Sequence, residues 1–203
     1  MNGDKSKQSQ RLLSLFKEKN YLRSKDLEKD SIQRQTIRRL LKSGQVIRVQ
    51  RGLYRLPDIE LSQHLSLLEV GLKAPRSVIC LLSALVFHEI GTQNPHQVWI
   101  AIGPKDKKPK FEGIQVRIIR FSPSSLHYGV ENHSLDGFPV KVTSPAKTVA
   151  DCFKFRNKIG IDIAKEALRE GWYSRKFIME DLYQAARVCR VWDTIRPYAE
   201  MLE

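Results

Sequence analysis

Residues 34–55, RQTIRRLLKSGQVIRVQRGLYR, constrain the fold of this chain more than any other stretch. Ile37, Leu40 and Leu41 recur at helical spacing on one face, while Arg34, Gln35, Arg38, Arg39 and Lys42 fall on the other. Ser43-Gly44 stops that helix, because glycine enters the left-handed conformation that closes a helix C-terminus. Val46, Ile47, Val49, Leu53 and Tyr54 then supply the β-branched and aromatic residues of two short strands, with Gln50, Arg51 and Gly52 at the tip between them. Taken singly, these are a solvated amphipathic helix and an ordinary hairpin. Taken together, a one-sided basic helix followed by an arginine-tipped hairpin predicts a recognition helix and a β-wing that hold duplex backbone on both sides of a groove wall.

The residues before this stretch complete a three-helix unit. A first helix is expected over about Lys7 to Lys19, with Leu12, Leu13, Leu15 and Phe16 as its core face. Ser24 is placed as the N-cap of a short second helix over Lys25 to Lys29, with Leu27 inward, and Ser31 as the cap of the basic helix. Helix, helix, helix, hairpin is the order of a winged helix-turn-helix. Leu56-Pro57-Asp58 closes the hairpin, since proline cannot extend a strand ladder. A new apolar helical pattern begins near Leu61 and continues through Leu65, Leu68 and Leu72. The domains are therefore expected at 1–60, a winged helix-turn-helix, and 61–203, an α+β domain with a small sheet and a helical tail.

In that second domain, Ser77 to Glu89 is apolar on nearly all sides and ends at Gly91, which predicts a buried central helix. Val98 to Ile102, Ile114 to Phe121 and Phe138 to Val142 have strand character, with a shorter strand near Val130 to His133 and a turn at Asp136-Gly137. The lysine-rich segment KDKKPK joins the first two of these strands. Ser144-Pro145 carries the N-cap and N1-proline signature of a helix through about Phe155; Ser174 is expected to cap another through Val188, and Asp193 to start a last one.

Charge narrows the partner. The net charge is +13 over 203 residues, with a sequence pI near 9.8, which favours a polyanion. Residues 1–60 hold 15 Lys/Arg against 7 Asp/Glu, so more than half of the excess sits in under a third of the chain. Cys80, Cys152 and Cys189 are odd in number and widely spaced, which suggests neither a disulfide framework nor a cysteine metal site. No apolar run approaches a membrane span and the first ten residues have no apolar leader core, so a cytoplasmic protein is expected.

The segment IRRLLKSGQVIRVQRGLYRL resembles the antitoxins of AbiE-type toxin–antitoxin systems, abortive-infection regulators whose pattern "L…G.l.rv.rGvY" it follows through Arg39, Leu40, Gly44, Arg48, Val49, Arg51, Gly52 and Tyr54. LLSALVFHEIG (residues 81–91) is similar to the family's "tAL.lHGl" helix, VWIAI to the strand after it, and VTSPAKTVADCF (residues 142–153) to its "v.s.ertl.D" segment, with Thr148 and Asp151 in the matching places. The chain departs from the pattern at Glu89, where glycine is common, and at Lys147, where arginine is common. The resemblance covers about residues 8–156. It implies a first domain that binds promoter repeats of its own operon and represses it, and a second that counteracts a nucleotidyltransferase-like toxin. Relatives of this type also include transcriptional regulators without a known toxin.

For DNA, Gln33, Arg34, Gln35, Arg38 and Arg39 are expected to face the major groove. Arg34 or Arg38 suits guanine bidentately and Gln35 suits adenine, while Lys42, Arg48, Arg51 and Arg55 are expected on phosphates. Repeated operator sites would require two copies side by side, as a dimer or by cooperative binding. No cofactor or metal is implied, and an enzyme is not expected. The rival of a winged-helix-targeted nuclease would need Asp136, Asp151 or Asp162 to bind a metal, and their spacing does not favour it. Ser144-Pro-Ala-Lys147 spells S-x-x-K, but a proline-opened helix explains these residues. His88-Glu89 lacks a second histidine at position 92, and His64, His96, His127 and His133 are dispersed without an orienting carboxylate nearby. Lys105, Lys107, Lys108 and Lys110 fit either a solvated hairpin tip or an auxiliary phosphate or RNA contact.

Overall fold

The structure, a computed structural model, describes residues 2–57, 63–135 and 137–202, and among these leaves aside the side chains of residues 2–6, 17–18, 25, 50 and 63–64. Asp58, Leu61 and Asp136, which the sequence places at the hairpin's close, a helix start and a turn, lie outside the described residues. The chain is mixed α+β and divides into two compact units, Met1–Ser62 and Gln63–Glu203.

In the first unit, helix α1 (Asn2–Glu18) buries Leu12 and Phe16, strand β1 (Leu22–Arg23) follows, and then come α2 (Ser24–Lys29) and α3 (Arg34–Lys42). The hairpin is β2 (Ile47–Gln50) and β3 (Leu53–Arg55), paired antiparallel with a bulge between Arg48 and Gln50. β1 adds to the outer edge of β3 through Leu22↔Tyr54 and Arg23↔Leu53. That third strand is not expected from the sequence, because two residues are too few to carry a period of two. Leu12, Phe16, Leu22, Leu27, Ile32, Ile37, Leu40 and Val46 form one core.

Local chemistry corrects two expected caps. Ser24 opens α2 rather than preceding it; the Asp26 carboxylate reaches back and accepts from the Arg23 amide at 2.9 Å. Ser31 does not cap α3. It has φ 56° and closes α2, with the Ser31 amide donating to Glu28 O and the Ile32 amide to Leu27 O, while Leu27 and Ile32 meet in the core. α3 starts at Arg34 with no side-chain cap, and Gly44 (φ 72°) ends it.

The second unit is a five-stranded sheet in the order β6-β5-β4-β8-β7, built from β4 (Val78–Ile79), β5 (Val98–Ile102), β6 (Val116–Arg120), β7 (Val130–Leu135) and β8 (Phe138–Thr143). β4/β8 and β5/β6 run parallel, β4/β5 and β7/β8 antiparallel. All five residues of β5 are buried, as befits a strand with both faces covered. Helices α4 (Gln63–Lys73), α5 (Leu81–Phe87), α6 (Pro123–His127), α7 (Pro145–Lys154), α8 (Arg156–Ile159), α9 (Ile161–Tyr173), α10 (Met179–Cys189) and α11 (Trp192–Ala199) complete it. α7 packs on α5, α9 and α10 and is buried almost all round.

Two expectations are overturned here. Ser77 to Glu89 is not one helix but β4 followed by α5, with Cys80 between them and Leu81, at φ 50°, opening the helix. A short continuous apolar run reads alike as buried strand or buried helix, and Val78-Ile79 resolves to strand through its neighbours β5 and β8. Ser174 is the C-cap of α9, and α10 begins at Met179.

Helix α5 ends with Glu89 at φ 56°, its amide on Val86 O and that of Ile90 on Leu85 O. This is the left-handed position that glycine occupies without a Cβ penalty. Glu89 is 88% exposed and stands 3.8 Å from Lys176 Nζ, a contact of negligible worth in solvent. Glu89→Gly is therefore expected to raise stability by about 1 kcal/mol, less the extra freedom of glycine in the unfolded chain. The urea midpoint reads this; an unchanged or lowered midpoint would show that the left-handed glutamate carries no strain.

Candidate nucleic-acid interface

The outward face of α3 and the β2–β3 hairpin lie in one unit, so their relation is fixed by its core. Ile37 and Leu40 anchor α3 on α1, which turns Arg34, Gln35, Arg38, Arg39 and Lys42 to solvent. Thr36, also buried, donates its hydroxyl to the Gln8 side chain at 3.0 Å and so fixes the roll of α3 on α1. Gly52, at φ 79°, accepts from the Ser24 amide at 2.8 Å, which ties the hairpin tip to the start of α2. A Cβ at Gly52 would lie 3.2 Å from Ser24 Oγ, so tip and helix approach closely only with glycine there.

This arrangement leaves a hollow of about 590 Å³ lined by α2, α3 and the hairpin, with Arg34, Arg38, Arg48 and Arg51 around it and Tyr54, Ile37 and Leu41 beneath. A second hollow of about 330 Å³ lies along α3 among Gln33, Gln35, Thr36, Arg38, Arg39 and Lys42. Arg38 borders both. Eight of the nine residues expected on DNA thus line one or other of two adjoining hollows.

Arg55 is set apart: its guanidinium donates to the carbonyls of Leu56 (2.8 Å) and Pro57 (3.3 Å), and it closes the hairpin. Arg34 and Arg39 also have protein partners. Arg34 pairs with Glu28 at 3.0 Å with both side chains largely exposed, and Arg39 donates to Ser9 Oγ. Glu28, Ser24 and Tyr54 line the larger hollow and were not expected there. Their presence follows from β1 pairing with β3, which brings the start of α2 beside the tip, and nothing in their sequence spacing signals it.

The histidines and acids of the second unit behave differently. His88 Nε2 lies 2.7 Å from the Thr143 carbonyl, and burial lowers its pKa. Its partner is on β8, 55 residues away in sequence. His133, read as lacking an orienting carboxylate, has one two residues away, Glu131, at 2.9 Å. Asp151 is buried on α7 with Lys147, whereas Asp162 is 94% exposed on α9 near Lys165, so of the three acids named for a nuclease these two are not brought to one site, and Asp136 lies outside the described residues. Among the described residues no group of three His, Cys, Asp or Glu is arranged to hold a metal, and no helix is long and apolar enough to cross a membrane.

Ser144 caps α7 at 3.4 Å from the Lys147 amide, and Lys147 is sealed in the core. Its Nζ donates to Asp151 Oδ2 at 2.5 Å and sits 4.7 Å from the centre of the Phe121 ring; Asp151 Oδ1 accepts from Cys189 Sγ at 3.3 Å. Burial raises the Asp151 pKa despite the lysine beside it. Cys80, Cys152 and Cys189 are buried free thiols, each pushed above its ordinary range by loss of solvent, Cys189 to about 12.

No curated protein matches this chain. Among solved structures, the crystal structure of RV2827C protein from Mycobacterium tuberculosis is similar in fold, with a TM-score of 0.61 over 96% of this chain and 76% of that one, at 11% sequence identity. That likeness spans both units and speaks to architecture only. The family match is confined to the first unit: residues 10–57, which hold all of α3, the hairpin and both arginine-lined hollows, match a family described as transcriptional regulator, AbiEi antitoxin.

Proposed function

We propose that this chain is a DNA-binding transcriptional regulator whose first unit is a winged helix-turn-helix, with α3 as recognition helix and the β2–β3 hairpin as wing. The observation that carries this reading is the convergence of Arg34, Arg38, Arg48 and Arg51 on one hollow between helix and hairpin, inside the stretch that matches a regulator family. Guanidinium groups on two sides of a concave surface suit a phosphate backbone, and Arg38, on the exposed face of α3 between both hollows, suits a guanine edge. On this reading Gln35 reads adenine, Lys42, Arg48 and Arg51 hold phosphates, and Arg55 contributes by closing the wing.

The regulator represses its own promoter at repeated sites, and the second unit counteracts a nucleotidyltransferase-like toxin. The toxin part rests on the resemblance of residues 81–91 and 142–153 to AbiE antitoxins; a stand-alone regulator without a toxin shares the same DNA face.

A mobility-shift titration across salt separates the roles. Arg51→Ala is expected to weaken all duplexes alike and lower the salt slope by about 0.9, the value of one phosphate contact. Arg38→Ala is expected to cost about 1–3 kcal/mol on the operator and to relax base preference at one position. Profiles identical to the parent's for both variants would reject the assignment.

A further inference from the structure

The loop between β5 and β6 is rich in lysine, and the structure shows how it is held. Arg120, at the end of β6, donates from Nη1 to the carbonyls of Gly103 (2.7 Å) and Pro104 (2.6 Å) and from Nη2 to that of Asp106 (2.9 Å). One guanidinium therefore gathers three carbonyls of a single turn at the loop's base, over residues 103–106. The Asp106 carboxylate points back as well and accepts from the Gly103 amide at 2.8 Å. A Cβ at Gly103 would come within 2.9 Å of that oxygen, so the close turn depends on glycine.

Two consequences follow. The acid nearest the lysines is turned onto backbone and does not pair with them. Lys105, Lys107, Lys108 and Lys110 are all exposed, and no ion pair among the described residues holds any of them. Pro104 and Pro109 restrict the backbone between them further. Lys105 sits within a base fixed by four hydrogen bonds, and Lys107, Lys108 and Lys110 follow directly from it. Beside them is a hollow of about 250 Å³ lined by Ala74, Pro75, Ile102 and Pro109, with Arg76 and Lys107 also on its wall.

We propose that this loop is a second phosphate-binding surface for duplex DNA, carried by the second unit and blind to sequence. Its ligand, duplex phosphate, is taken from the reading of the first unit given above. The lysine ammonium groups act as point charges that release counterions, without the planar fork a base edge requires. A pre-ordered base reduces the entropy lost when the loop meets the backbone. The surface raises the affinity of the whole chain for any duplex and leaves operator choice to the first unit.

The test uses the full chain and a short duplex of arbitrary sequence, with fluorescence anisotropy read across salt. The loop variant replaces Lys105, Lys107, Lys108 and Lys110 with Gln; a charge-matched variant replaces Lys141, Lys154, Lys158 and Lys165 with Gln. The loop variant is expected to lower the salt slope by about 2 or more and to weaken binding about tenfold at moderate salt, while the charge-matched variant changes the slope by less than half as much. A smaller fall for the loop variant, or an equal fall for both, overturns the proposal. A third variant, Arg38→Ala/Arg51→Ala, keeps the two readings apart. If it binds as the parent does while the loop variant is weakened, the first-unit reading fails and the loop stands; the converse sinks the loop alone.

Discussion

Lys147→Met is expected to destabilise the second unit by about 3–5 kcal/mol, the cost of leaving one partner of a buried ion pair uncompensated. Lys147 and Asp151 are both fully buried one turn apart on α7, at the meeting of α5, α9 and α10. Without the lysine, Asp151 keeps one weak thiol donor, Cys189, and faces a core that solvates no charge. The double variant Lys147→Met/Asp151→Leu is expected to recover most of the loss, because an apolar pair of similar volume makes no demand for solvation. The pH dependence has a definite sign. Burial already raises the folded-state pKa of Asp151 above its unfolded value, and the lysine opposes that rise. A raised carboxyl pKa favours folding fully below the unfolded pKa, and that contribution is lost as pH rises through the folded one. Removing Lys147 widens the gap, so the deficit of the single variant is largest near neutral pH and shrinks in mild acid. Trp99, Trp172 and Trp192 all belong to the second unit, so tryptophan fluorescence in urea reports it selectively. A loss under about 1 kcal/mol, or a double variant no better than the single, would show that the pair is solvated or readily replaced.

This pair also marks the limit of what the sequence discloses. Along residues 34–55 the chain is legible, because burial there follows a single period: Ile37 and Leu40 go in, Arg38 and Arg39 stay out, and Gly44 ends the helix with a left-handed φ. β5 is equally clear, since five β-favouring or apolar residues stand between Gln97 and Gly103-Pro104. What fails is whatever depends on a partner distant in sequence. β1 and β4 are two residues each and exist only through pairing with β3 and with β5 and β8. Ser31 and Ser174 look like N-caps, since serine favours the start of a helix, yet Ser31 closes α2 in a left-handed turn and Ser174 ends α9. Lys147 stands in the sequence as the lysine of an S-x-x-K string and in the place of a family arginine, neither of which signals burial; its burial is decided by Asp151, Phe121 and the helices that close over them. The arginine face belongs to the first kind and its lining by Ser24, Glu28 and Tyr54 to the second, which is why the face is legible while the shape of its hollow is not.

The face depends on that small core as a whole, so Leu12→Ala is expected to weaken DNA binding from a position that contributes nothing to the binding surface. Leu12 is fully buried on α1, in the cluster that holds Ile37 and Leu40 beneath the arginines. Truncating a buried leucine costs about 2–5 kcal/mol, depending on how far the cavity collapses. A unit of this size is worth only about 3–9 kcal/mol at the usual stability per residue, so the loss takes from about a fifth of it to all of it. Apparent affinity falls with the fraction of folded unit, for every sequence and at every salt concentration. This distinguishes the variant from Arg51→Ala, whose deficit shrinks as salt rises, and from Arg38→Ala, whose deficit depends on the duplex. Leu12→Met nearly conserves volume and is expected to restore binding. The first unit contains no tryptophan, so the fluorescence transition of the second is expected to stay where it was. Parental affinity in Leu12→Ala, with its salt slope unchanged, would mean that the arginine face does not rely on this core for its shape.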